Sequence, residues 1–466
     1  MALVKNLSPE GEGEKKVRAA DAAQRVIKKL SGSSSLDEQK YMPTDAQLRK
    51  GKIKEKTGKW LLLMICASFL QAFMFITAVV RADQEDRAIM SFFLIGYLLV
   101  EWAYFFVFGI IGRRRMEIEL IGFSLSSISL VLTASISPSK LMTQFICIVA
   151  GIITFAIIIW FLEDISRVNF MRLPIGIVAL GLLALTLLIA EDFQGAKNWI
   201  HIGGFSIQPS ELVKIAFVFV GAATLEKLQS THSLWKYIIF AAACIGMLFL
   251  MRDFGTALIF FATFLMIAFM RSGDIKTIFL ICAAAVLGAV FIIMYKPYVA
   301  RRFANYRHIW EYMNEGGMQQ TRSIIYSVSG GLFGVGIGNG KLRHVFAAAE
   351  DLVFGVVCEE LGIIIAVAIV MTYVLLLLYT IRSAKFARSS FYAIAGCAAA
   401  GMLCFQAALE VFGINDILPL TGVTLPFISR GGSSMLCSWG LLAFIKALDL
   451  RTYPKVMKEL FQTAKR

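Results

Sequence analysis

The sequence predicts an all-α polytopic membrane protein. Three observations carry this: 58% of its 466 residues are hydrophobic, the mean hydropathy is +0.71, and apolar runs of about 20 residues recur from Trp60 almost to the C-terminus. At roughly 1.5 Å per residue, each such run can cross a hydrocarbon core of about 30 Å. A soluble globular chain of this length does not carry that composition. A transmembrane barrel would need short segments of alternating polarity, and these runs do not alternate.

Taken in order, residues 1–58 are polar, rich in Lys and Glu, and contain SGSSS. Nothing there resembles the apolar core of a signal peptide, so they read as a flexible cytoplasmic tail. Its end, RKGKIKEKTGK, abuts the first span, where such a cationic run holds that end inside and touches anionic lipid head groups. Spans are expected at about residues 60–80, 89–111, 117–136, 141–162, 173–190, 209–228, 234–251, 254–270, 275–295, 353–380, 390–412 and 431–448. With the tail inside, the inner turns are GRRRME, EDISRVNFMR, EKLQSTHSLWK, RSGDIK and RSAKFARS, and residues 453–466 form an inner C-terminal tail. All carry Lys or Arg, and the short outer turns RADQEDR and ISPSK are less basic, which is the asymmetry that orients membrane proteins. Both termini are therefore expected in the cytoplasm.

The loop at 296–352 then lies outside, yet it carries Arg301, Arg302, Arg307, Arg322 and Arg343. Long loops escape the charge rule, so these arginines can be neutral in function. Alternatively they hold an anionic ligand at the outer face, with a lipid-linked phosphate or pyrophosphate suited to bidentate guanidinium contacts.

The eight cysteines fall in or beside apolar runs without paired spacing and read as buried thiols. The four histidines are scattered, so no metal site is indicated. The segment GAKNWIHIGGFSIQPSELVK places Pro209 where a helix can start and puts Glu211 and Lys214 on one helix face. They form either a self-neutralising pair at a capped helix or two polar groups facing an interior cavity. In RDFGTA, Asp253 is positioned to cap a helix, and Gly255 allows close backbone approach. GGLFGVGIGNGKL ends like a phosphate-binding loop but continues with Leu342 where Ser or Thr is needed, and a surface or re-entrant glycine-rich segment fits better. AEDLVFGVVCEELG places Glu350, Asp351, Glu359 and Glu360 around the entry of the tenth span, and Glu359 and Glu360, within the apolar run, must find partners or face water. NDILPLTGVTLPFISRGGSS, with Pro426, Ser429, Gly431 and Gly432, is irregular backbone of the kind tolerated at membrane depth only when shielded by protein or lining a cavity.

These segments together resemble the SEDS family (shape, elongation, division and sporulation: FtsW, RodA and SpoVE) of peptidoglycan glycosyltransferases. The match rests on GAKNWI with QPSELVK, DFGTA, QQTRS with GGLFGVGIGNG, DLVF with EELG, and LPLTGVTLPFISRGGSS, in that order. The resemblance implies a ten-helix SEDS-like core at residues 116–452, preceded by two extra N-terminal transmembrane helices at 59–115. It implies that lipid II, the undecaprenyl-pyrophosphate-linked disaccharide peptide, is both donor and acceptor at the outer face of a bacterial cytoplasmic membrane. A class B penicillin-binding protein transpeptidase is the implied protein partner, besides membrane lipids, and no nucleic acid. A carboxylate would deprotonate the acceptor 4-hydroxyl while the loop arginines steady the departing pyrophosphate. No resident cofactor is indicated, though a divalent cation could sit on the pyrophosphate.

Family loops read W-x-D-P and then G-Y-Q. Aligning Trp310, Gly317 and Gln319 puts Tyr312 at the aspartate, and a phenol is a poor base at neutral pH. Glu311 and Glu315 are the nearest carboxylates and are expected to be catalytic, with Glu311 preferred. Arg302, Arg307, Glu211, Lys214, Trp310, Gln319 and Ser323 are expected to bind substrate. Asp253, Asp351, Glu359, Glu360, Pro426, Ser429, Gly431 and Gly432 are expected to shape the cavity. Two other functions fit the same sequence: a non-catalytic scaffold that recruits a transpeptidase, which Tyr312 suggests, and a lipid II transporter. A transporter should show related halves, and none is visible.

Overall fold

A computed structural model describes residues 60–111, 116–192, 195–202, 205–226, 231–273, 306–313, 316–385 and 389–449, with isolated positions between 275 and 283 and at 387. Both tails and most of the expected ninth span, 275–295, lie outside the described residues. The helices are α1 (Trp60–Arg81), α2 (Gln84–Ile110), α3 (Glu117–Ile136), α4 (Leu141–Phe161) and α5 (Ile165–Ile189). A hairpin of β1 (Ile200–Ile202) and β2 (Phe205–Ile207) leads to α6 (Pro209–Glu226), α7 (Thr231–Leu250) and α8 (Phe254–Ser272). Then come α9 (Met318–Ser329), α10 (Val353–Glu360), α11 (Ile363–Ala384), α12 (Ser390–Ile414) and α13 (Gly432–Leu448). Among the described residues eight helices are long and apolar enough to cross a membrane, with shorter apolar helices at Trp235–Leu250 and Gly432–Leu448.

The expected tenth span, 353–380, needs correction. It is two helices: α10, buried throughout, and the longer α11. Between them Gly362 has φ +87, and a Cβ there would lie 2.4 Å from the Leu332 carbonyl oxygen. The Ile363 N–H turns outward to the Gly331 carbonyl at 3.1 Å. Hydropathy runs straight through the break because a helix buried in protein and a helix bathed in lipid are equally apolar.

Burial sorts the helices into an inner set and a lipid-facing set. Along their most apolar stretch α3 and α12 are 78% and 72% buried, whereas α1, α2 and α5 are 22–28% buried. α12 is rich in Ala and Gly, which lets neighbouring backbones approach closely where lipid supplies no hydrophobic drive. α13 packs most heavily on α4 and α12. At its centre Trp439 is fully buried and meets Phe123, Phe155 and Phe427 edge-on. Lys446 Nζ reaches Glu119 at 2.9 Å, joining α13 to α3 through a buried ion pair. The N-terminal pair covers the outer side of α3: Tyr97, Tyr104 and Phe105 all contact the ring of Phe123.

Candidate active site

The helix-connecting segments at one end of the bundle enclose a cavity of about 470 Å³. The hairpin approach supplies Asn198, the start of α6 supplies Gln208 and Glu211, and the α7–α8 turn supplies Arg252 and Asp253. The approach to α10 adds Glu350 and Asp351, and the α12–α13 connection adds residues 421–424 and Arg430. Every one of these segments falls where the charge asymmetry of the sequence puts the outer face.

Local chemistry explains each wall. Asp253 caps α8: its Oδ1 accepts the Thr256 N–H at 3.1 Å, and its Oδ2 accepts Asn198 Nδ2 and Gln208 Nε2, each at 3.0 Å. One carboxylate thus ties the hairpin and the α6 start to the α7–α8 turn. Gly255 permits this turn to meet the opposite wall, since a Cβ there would sit 2.6 Å from Val423 Cγ1. Arg252 and Ala347, both lining the cavity, have left-handed φ values of 61° and 58°. Such strain persists only where surrounding structure imposes it.

Glu211 and Lys214 form the buried pair their spacing allows, at 2.6 Å. Lys214 Nζ also donates to Gln406 Oε1 at 2.8 Å, and Gln406 Nε2 donates to the Thr424 carbonyl at 2.7 Å. Glu211 borders the cavity, while Lys214 is fully buried behind it. Ser429 Oγ donates to the Glu350 carbonyl at 2.6 Å, and Arg430 clasps the Glu350 carboxylate. Gly431 borders the cavity, Gly432 starts α13 beside it, and the Pro426 carbonyl accepts the Tyr373 hydroxyl. Asp351 is pushed up to about 6, first by burial and then by the neighbouring charges of Glu350 and Asp253.

Glu359 and Glu360 take no part in the cavity lining. Glu359 accepts the Lys341 and Leu342 N–H groups at 2.7 and 2.9 Å, and Glu360 accepts Ser135 Oγ at 2.9 Å. They clamp the glycine-rich segment, which explains the pairing of GVGIGNGK with EELG in the sequence.

Within the 296–352 loop, Phe346, Ala347, Glu350 and Asp351 line the cavity, whereas the described residues around Trp310 stand apart from that lining. Glu311 is 69% exposed and faces His308 Nδ1 at 3.2 Å, and Trp310 and Tyr312 are exposed. Arg307, with φ +64, donates its N–H to Asp416 Oδ1 at 3.2 Å, so the loop docks on the end of α12. Gln319 Nε2 donates to the carbonyl of Phe346, a cavity-rim residue, at 3.2 Å. Ser323 is fully buried, facing Gly355 of α10. Arg302 and Glu315 lie outside the described residues. Sequence reasoning gave no weight to Asn198, Gln208 and Arg430 as site residues. They sit inside the quoted motifs, but only tertiary contact distinguishes them from their neighbours.

Residues 115–453 match the family model of FtsW, RodA and SpoVE, described as cell cycle protein. The peptidoglycan glycosyltransferase RodA of Mycobacterium tuberculosis is 29% identical over 340 residues, covering 67% of this chain and 72% of the relative. A protein of Buchnera aphidicola named "Probable peptidoglycan glycosyltransferase FtsW" is 31% identical over 286 residues, covering 59% and 72%. Two solved structures share the fold. One, described as "Structural coordination of polymerization and crosslinking by a peptidoglycan synthase complex", is 24% identical with a TM-score of 0.60, covering 71% of this chain and 96% of that one. The rod shape determining protein RodA of Thermus thermophilus is 22% identical with a TM-score of 0.53, covering 71% and 95%.

Proposed function

The chain belongs to the FtsW, RodA and SpoVE family of cell cycle proteins, and on that premise we propose that it is a peptidoglycan glycosyltransferase that polymerises lipid II. The observation that carries this reading is convergence: QPSEL, RDFGT, AEDL and TGVTLPFISRGGSS, far apart in the chain, wall a single cavity. Its carboxylates and hydrogen-bonding side chains are the equipment that glycosyl transfer needs, a proton acceptor and groups to hold sugar hydroxyls. In the proposed reaction the acceptor 4-hydroxyl attacks the donor's anomeric carbon, and undecaprenyl pyrophosphate leaves. The cavity opens on the outer face of a bacterial cytoplasmic membrane, and the loop arginines, Arg302 and Arg307 among them, bind the departing pyrophosphate. Among the described residues no three His, Cys, Asp or Glu side chains group to hold a metal ion. A divalent cation at this step would be held by the phosphates of the substrate. A class B penicillin-binding protein is the proposed partner for crosslinking.

Purified protein supplied with lipid II, alone and with a class B penicillin-binding protein, tests the proposal: glycan strands are the expected product. No strands with any partner would favour a scaffold that recruits a transpeptidase, the reading that Tyr312 at the matched aspartate position motivates.

A further inference from the structure

Of the four carboxylates lining the cavity among the described residues, three are engaged by the protein. Asp253 accepts three hydrogen bonds, Glu211 holds Lys214, and Glu350 holds Arg430. Asp351 has no hydrogen-bond or ion-pair partner among the described residues. It keeps part of its surface open while protein packs round the rest. The wall opposite one of its oxygens is Gly422, where an added Cβ would lie 3.3 Å from Oδ2. A bare glycine there leaves the carboxylate accessible to a hydroxyl of a ligand.

We propose that Asp351 is the catalytic base of the polymerase, taking the proton of the attacking 4-hydroxyl in place of Glu311 and Glu315. This rests on the polymerase reading. The acceptor O–H bond breaks and its proton goes to a carboxylate oxygen of Asp351. The freed oxygen pair forms the bond to the donor's anomeric carbon, and the carbon–oxygen bond to pyrophosphate breaks with its electrons leaving on undecaprenyl pyrophosphate. Asp351 is then ready again once it gives its proton to water in the cavity.

Charged groups near Asp351 or lining the same cavity come from several elements. Glu350 lies beside it, bound to Arg430, and Asp253 comes from the α7–α8 turn. Arg252, bound to Asp192, comes from the same turn. Glu410 of α12 accepts the Phe354 N–H at 3.2 Å and feels the charge of Asp351. Burial and the two nearest acids raise Asp351 to about 6, where it is mostly ionised at neutral pH yet a stronger base than an ordinary aspartate.

The test uses the full-length protein in proteoliposomes with lipid II. Wild-type kcat/KM should rise with pH around a midpoint near 6 and level off above it. Asp351→Asn should lower kcat by about 100-fold or more, the usual scale of a lost general base, with lipid II binding retained. Glu350→Gln removes a charge that raises Asp351, so the midpoint should move to lower pH. A purely structural role for Asp351 would not move it. Turnover surviving Asp351→Asn but lost in Glu311→Gln would return the base to Glu311 and overturn the proposal. If Asp351→Asn does not fold, the Glu350→Gln profile decides, and an unmoved midpoint overturns it. Absence of turnover in the wild type would be a different failure, that of the polymerase reading itself.

Discussion

Lys214 is a fully buried ammonium whose charge is balanced by one carboxylate 2.6 Å away. Removing one member of such a pair leaves the other charged, desolvated and alone, which costs about 3–5 kcal/mol. Lys214→Ala should therefore lower stability in detergent by that amount, read from the thermal unfolding midpoint. Replacing both members, Glu211→Gln with Lys214→Met, should cost less than the single change. The i,i+3 spacing showed that the two could meet; that they do so with Gln406 as a third partner came from another helix. Arg302 supports a different kind of prediction. If the loop arginines act on phosphate, Arg302→Ala should weaken lipid II binding, and the loss should shrink as salt rises, because screening already weakens the contact. A binding titration at two salt concentrations measures it, and a loss independent of salt would point to structure rather than charge.

α13 shows what a short helix needs in order to be central. Its 17 residues are nearly all buried, and Trp439 fills the space left by a glycine on α4. A Cβ at Gly151 would lie 2.6 Å from Trp439 Cδ1, and neither the indole nor the helix backbone can yield cheaply. Gly151→Ala should cost about 1–3 kcal/mol through overpacking. Trp439→Phe in the same chain should recover part of the loss, so the two changes will not add. Thermal unfolding of the single and double variants checks this. The helix itself was legible from hydropathy, but its partner was not, because a tryptophan in an apolar run looks the same whether it meets lipid or a glycine.

The whole bundle consists of the family-matched part, residues 115–453, and the two helices before it. α1 and α2 contribute no residue to the cavity, yet Tyr97, Tyr104 and Phe105 cover Phe123 and hence one side of α3. A chain beginning near Gly112 should accordingly still polymerise lipid II but unfold at a lower temperature than the full chain. A truncated protein that is well folded and inactive would show that the added pair does more than cover. Every motif quoted from the sequence lies after Arg115, which is why the sequence reading divides the chain into a core and an added pair.

The sequence by itself determined the class of fold and most of the helices among the described residues, and set an expected orientation, because lipid imposes strict rules: backbone polar groups must be satisfied within helices, spans must be long and apolar, and basic turns stay inside. It also determined the family, through motifs whose order is a property of the chain. It passed over the break at Gly362, where hydropathy is blind to what surrounds a helix. Only the tertiary structure decided which charges stand together. Asp253, Glu350 and Asp351 are alike as residues in the sequence; the first is satisfied by Asn198, Gln208 and Thr256, and the second by Arg430. Asp351 is left to face the cavity. A carboxylate's availability and proton affinity are set by neighbours from other helices, and those neighbours exist only once the chain has folded.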